Sequence, residues 1–194
     1  MKPMSADQAL QKLKEGNKRF VSGKTIHPNQ SSERRADVLK GQHPFAVVLG
    51  CADSRVPPEI LFDQGIGDLF ILRVAGNIAD DALLASMEYA VDHLEVPLLL
   101  VLGHQKCGAV QAALQGGEAH GHLGCLMEAL RPAVEIGRSR PGDPVENTVM
   151  ANVERVVREL RSSEPILAKA VKKGGLKILG AHYSLENGQV EFTE

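Results

Sequence analysis

Four stretches of the chain are nearly unbroken runs of apolar residues, at 45–50, 68–74, 98–103 and 176–180. Unbroken runs of this length, rather than alternating ones, predict strands covered on both faces. Three of them close alike, in "VVLG", "LVLG" and "KILG". A glycine at that point is read as the place where the backbone leaves the sheet sharply. Between the runs the apolar period lengthens. Over 79–95, Leu83, Leu84, Met87, Ala90, Val91 and Leu94 form one stripe at helical spacing. Asp80 or Asp81 is placed to cap its start, and Pro97 closes it. "GAVQAALQGG" predicts a helix that begins just after Cys107 and ends at Gly116 and Gly117. "HLGCLMEALRPAVEIGR" and "PVENTVMANVERVVRELRSS" predict two more. Residues 5–21, with Ala9, Leu10, Leu13 and Phe20 apolar, predict an amphipathic N-terminal helix.

Strands that alternate with helices predict the α/β class: a central, mainly parallel β-sheet with right-handed crossovers, flanked by helices. The expected organisation is a single domain over residues 1–194, with 1–26 as an N-terminal helical arm. In such sheets ligands gather outside the carboxyl ends of the strands. Cys51 and His104 each follow directly on a predicted strand, so both are expected at that edge despite their separation in sequence.

Composition narrows the function classes. Hydrophobic content of 43% and charged content of 24% suit an ordinary packed core. A net charge of -2 argues against a nucleic-acid or anionic-membrane binder, which needs a clustered basic face. The pairs Arg34-Arg35 and Lys172-Lys173 are short and read as solvated surface. No apolar run approaches the roughly 20 residues that cross a bilayer. The N-terminus has no apolar core of a secretory signal, so the expectation is a cytoplasmic protein. Three cysteines, Cys51, Cys107 and Cys125, are too few for a disulfide framework and point to metal binding, catalysis or burial.

The chemistry concentrates in "CADSR" and "GHQKCG". His104 and Cys107 alone form a weak H-x-x-C signal. With Cys51 from the neighbouring strand end, two thiolates and one imidazole make a borderline-soft tetrahedral set, which suits Zn²⁺. Three protein ligands leave one position open, as in catalytic rather than structural zinc sites. Asp53 is the nearest candidate for that position, and Arg55 is spaced to hold it away through a carboxylate–guanidinium pair. Two thiolates cancel the charge of the ion, so a bound water is acidified less than at a three-histidine zinc and needs a helper carboxylate. The helix N-terminus at Gly108 can meet negative charge developing on an electrophile. His120, His122 and Cys125 sit in a glycine-rich stretch read as a loop, with Cys125 expected to pack on the helix face as a small hydrophobe.

Taken together, "CADSRVPPE", "DLFILRVAGN", "SMEYAVDHL" and "LGHQKCGAV" resemble the β-class carbonic anhydrases, from roughly Ala9 to the C-terminal "GAHYSLENGQVEF". The resemblance implies that Cys51, His104 and Cys107 bind zinc and that Asp53 and Arg55 gate its fourth site. It implies that Gln42, nine positions before Cys51, binds substrate, as in the glutamine-type, plant-like members. Other members carry a tryptophan and form an inhibitory bicarbonate pocket. This chain has no tryptophan, although Tyr183 matches the pocket's tyrosine. Phe70 and Tyr89 match residues lining an apolar pocket for CO₂, and Ala75 stands where valine is usual. The activity implied is reversible hydration of CO₂ to bicarbonate and a proton through zinc-bound hydroxide. The rivals are a hydrolase of a CO₂ analogue, carbonyl sulfide or carbon disulfide, and a zinc-binding module without turnover. The resemblance also implies a homodimer or a dimer of dimers, with 5–21 embracing the partner and Gln42 and Tyr89 serving the neighbouring subunit.

Overall fold

Five strands form one sheet in the order β2-β1-β3-β4-β5 in the computed structural model, which describes residues 4–117 and 119–193. They are β1 (Ala46–Gly50), β2 (Leu69–Arg73), β3 (Leu98–His104), β4 (Lys177–Tyr183) and β5 (Val190–Thr193). The first four in spatial order run parallel, and β5 pairs antiparallel with β4. Every residue of β1 and β3 is buried, which is why their apolar runs are unbroken. Alternate side chains face opposite layers. Ala46 and Val48 pack with Ala9, Leu13 and Phe62 on one side. Val47 and Leu49 pack with Met87, Val156 and Leu160 on the other.

The helices are α1 (Ala6–Val21), α2 (Ser32–Asp37), α3 (Pro58–Leu61), α4 (Asp81–Asp92), α5 (Gly108–Gln115), α6 (Leu123–Ser139), α7 (Pro144–Ser162) and α8 (Leu167–Lys172). Ser5 and Gln8 close a capping box at the start of α1. Asp80, not Asp81, caps α4, accepting the Leu83 amide at 2.9 Å. That helix stops three residues before the expected end at 95, where Glu95 turns left-handed at φ 53. The short helices α2, α3 and α8 and the strand β5 were not expected: none is long enough for a period to register in the pattern.

The repeated strand-end glycines need correction. Only Gly50 ends its strand; β3 runs on to His104 and β4 to Tyr183. A Cβ on Gly103 would lie 2.6 Å from Val153 Cγ2, and one on Gly180 would lie 2.7 Å from Val153 Cγ1. These glycines let α7 sink onto the sheet between β3 and β4; they do not turn the chain.

Helix α1 docks on its own body by the same device. A Cβ on Gly16 would lie 1.8 Å from the Phe62 carbonyl oxygen. Beside it, buried Asn17 donates to Leu61 O at 3.1 Å and Gly188 O at 2.9 Å, and accepts the Val190 amide at 2.9 Å. Arg19 donates to Asp63 at 2.6 Å, and the same carboxylate accepts the amides of Ile26 and His27. Burial pushes Asp63 up, but Arg19 and the two amides outweigh it and hold the carboxyl below its ordinary 3.8.

Gly16→Ala is expected to destabilise the fold by about 1–3 kcal/mol through overpacking, although alanine is the better helix former. Urea unfolding checks the sign. A group depressed in the folded state stabilises fully above its unfolded value and loses that contribution as pH falls through the folded one. Asp63→Asn is therefore expected to weaken the protein at neutral pH and to flatten the loss of stability below about pH 4, read from unfolding midpoints across an acid series.

Candidate metal centre

Two parallel neighbours end side by side and deliver the cluster. Cys51 follows the last residue of β1, His104 is the last residue of β3, and Cys107 is the N-cap of α5. All three are buried, His104 completely. The sulfurs are 3.9 Å apart, and one ligand atom from each residue lies within 4.8 Å of the others. The Nδ1 of His104 is 2.9 Å from the Gln105 carbonyl, which fixes the proton there. That leaves Nε2 as the free ligand atom, and it is buried without a hydrogen-bond partner. Two soft sulfurs with an orphaned imidazole nitrogen fit a divalent zinc-like ion. Hydrogen bonding from Cys107, helped by His104 and the Gly76 amide, lowers Cys51 against its burial, and the same pairing with burial raises Cys107. The Gly76 amide donates to Cys51 Sγ at 3.3 Å.

Asp53 stands beside the cluster, its Oδ2 3.8 Å from His104 Nε2. The amide and Nε of Arg55 both donate to Oδ1 at 2.9 Å, and Nη2 donates to Oδ2 at 2.7 Å. The Arg55 guanidinium holds the carboxyl down to about 2, with burial opposing. Asp53 is thus a fixed carboxylate at any ordinary pH. The turn that carries it is held from behind: Arg73 Nε donates to Cys51 O at 2.9 Å and its Nη2 donates to Asp53 O. Asn152 of α7 donates to Gly76 O at 2.9 Å.

Of the residues expected at the site, the structure brings together Cys51, His104, Cys107, Asp53 and Arg55, with Gly108 opening α5 next to Cys107. Phe70 on β2 and Tyr89 on α4 face each other, ring centroids 6.4 Å apart. Tyr89 is 46% exposed. Gln42 is exposed before β1 and makes no side-chain hydrogen bond among the described residues. Tyr183 is buried; its backbone carbonyl accepts the Gln105 amide at 2.9 Å. Ala75 lies in the turn before Gly76. His120 and His122 are exposed. Cys125 is exposed too, not packed as a small hydrophobe: in the first turn of α6 its thiol donates to the His122 carbonyl at 2.9 Å.

Sequence reasoning missed Arg73, Gly76 and Asn152. Arg73 had a signal, a lone charge closing an apolar strand. Asn152 had one as well, an amide among the apolar positions of α7 that burial obliges to find a partner.

The fold and the cluster define a class first: an α/β protein with a candidate thiolate–imidazole metal centre at the carboxyl edge of its parallel sheet. The profile of the carbonic anhydrase family matches residues 46–190. A carbonic anhydrase of Mycolicibacterium smegmatis is 43% identical over 187 residues, which span 94% of this chain and 91% of that protein. Carbonic anhydrase 2 of Mycobacterium tuberculosis is 44% identical over 185 residues, 93% of this chain and 89% of that one. The solved β-carbonic anhydrase CcaA aligns with a TM-score of 0.74 at 30% identity, covering 94% of each chain. The chain belongs to the β-carbonic anhydrase family.

Elemental analysis of the purified protein is expected to find about one divalent ion per chain. Cys51→Ser, Cys107→Ser and His104→Ala are each expected to bring it near zero, while Cys125→Ser leaves it unchanged.

Proposed function

We infer that the chain catalyses the reversible hydration of CO₂ to bicarbonate and a proton, and we propose that it does so with zinc held by Cys51, His104 and Cys107. The observation that carries the reading is the buried Cys–His–Cys cluster, with its unpartnered imidazole nitrogen and a carboxylate fixed beside it. Zinc bound there supplies a Lewis acid that makes water nucleophilic near neutral pH.

The side chains around it do the rest. Asp53 accepts a hydrogen bond from the attacking water and aims its lone pair at the substrate carbon. Arg55 occupies both carboxylate oxygens and so keeps Asp53 from becoming a fourth ligand. The free amide of Gly108, at the N-terminus of α5, meets the negative charge that grows on the CO₂ oxygens. Phe70 and Tyr89 offer an apolar wall to the uncharged substrate, and Gln42 donates to its oxygens from the neighbouring subunit.

We propose a homodimer or a dimer of dimers. A chain from the crystal structures of two tetrameric β-carbonic anhydrases from Sordaria macrospora aligns with a TM-score of 0.76 at 26% identity, covering 92% of this chain and 93% of that one. Exposed Ile26, Ile60 and Leu39, the last at 83%, support an apolar contact with another copy. Among the described residues no helix is long and apolar enough to cross a membrane.

Stopped-flow CO₂ hydration by the zinc-loaded protein tests the reading, and absence of turnover over buffer overturns it. Arg55→Ala is expected to retain zinc and to lose about 100-fold in CO₂ hydration near neutral pH. Hydration at the parent rate would remove Arg55 from the mechanism.

A further inference from the structure

Only Gln105 and Lys106 separate His104 from Cys107, and Lys106 is left-handed at φ 55. A residue with a side chain keeps that conformation only where its surroundings over-determine it. Its backbone is gripped on both sides. The Lys106 amide donates to Glu146 Oε1 at 2.9 Å, and the Lys106 carbonyl accepts Arg55 Nη2 at 3.4 Å. Glu146 lies in the first turn of α7. Its other oxygen, Oε2, is 2.9 Å from Nε2 of His182 on β4. Both side chains are largely buried, 28% exposed for Glu146 and 18% for His182. The mechanism above uses neither.

We propose that Glu146 is a positioning residue for the metal centre, braced by His182 and fixing through the Lys106 amide the spacing of His104 and Cys107 and the seat of Arg55. The proposal rests on the reading of Cys51, His104 and Cys107 as metal ligands. Helix α7 then grips both ligand loops at once. Asn152 holds the Gly76 turn, whose amide touches Cys51, and Glu146 holds the turn between the other two ligands. The helix can act as a rigid reference because Val153 is seated against the bare backbones of Gly103 and Gly180. A carboxylate is well matched to this bracing, since two oxygens serve two partners and a charged acceptor binds an amide more strongly than a neutral one. The grip is on backbone. The Lys106 side chain points elsewhere, its Nζ 3.2 Å from Glu186.

The test is the rate at which zinc-loaded protein gives up its metal to a chelator, set beside the urea midpoint of the metal-free protein. Glu146→Ala is expected to release zinc about 10- to 100-fold faster. Glu146→Gln, which keeps an acceptor for the amide, and Lys106→Ala, which keeps the amide, are expected to stay close to the parent. Cobalt in place of zinc gives a second readout, with visible bands that shift in Glu146→Ala and not in Glu146→Gln. Parent-like release and unshifted bands in Glu146→Ala overturn the proposal. So does a Glu146→Gln variant as damaged as Glu146→Ala, which would mean that helix-end charge matters and the acceptor does not. A loss of zinc fully matched by loss of metal-free stability overturns it too. If Glu146→Ala does not fold, His182→Ala carries the test: release is expected to quicken by a smaller factor, and a parent rate there overturns the bracing. A parent chain that carries no zinc fails earlier and sinks the ligand reading itself.

Discussion

The pairing of β1 with β3 is the constraint on which the site depends. Their register sets Gly50 opposite Leu102, so that Cys51 and His104 emerge from the same edge of the sheet. A slip of one residue would send each side chain to the other face. Burial protects against that slip, because β1 and β3 are covered on both sides by apolar layers. The site inherits its precision from the sheet: three ligand atoms converge because two strands are held in register.

Charge management follows from that convergence. Thiolates, an imidazole and a carboxylate are costly to bury unless each is compensated. Here every one has a partner except His104 Nε2, the atom left for a metal. Arg55 answers Asp53, the Gly76 amide answers Cys51, and the Gln105 carbonyl answers the other nitrogen of His104. Arg73 and Asn152 hold the two turns from behind. A divalent ion bound there would offset the charge of the two thiolates and leave the cluster neutral.

Much of this was readable in the linear chain. The parallel strands showed as apolar runs, although β2, at the edge of the sheet, is only partly buried rather than covered on both faces, and the long helices showed their stripes. Cys51, His104, Cys107, Asp53 and Arg55 stood out because reactive side chains directly followed buried strands. What escaped had physical reasons. Four residues of β5 are too few to show a period, and β5 forms only because β4 offers it an edge. Gly103 and Gly180 looked like turns because the helix that presses on them, at Val153, is far from both in sequence. Arg73 and Asn152 stood out as polar side chains in apolar elements, but the backbone carbonyls they grip leave no mark in the pattern of side-chain types, and Gly76 acts through its own amide.

Cys51, Cys107 and His104 are proposed to share one ion and to leave it a place for solvent. X-ray absorption at the zinc edge of the loaded protein near neutral pH tests this most directly. Two sulfur neighbours at about 2.3 Å and two lighter neighbours, imidazole nitrogen and one oxygen, at about 2.0–2.1 Å are expected. A shell with no sulfur, or one with a third sulfur, would contradict it.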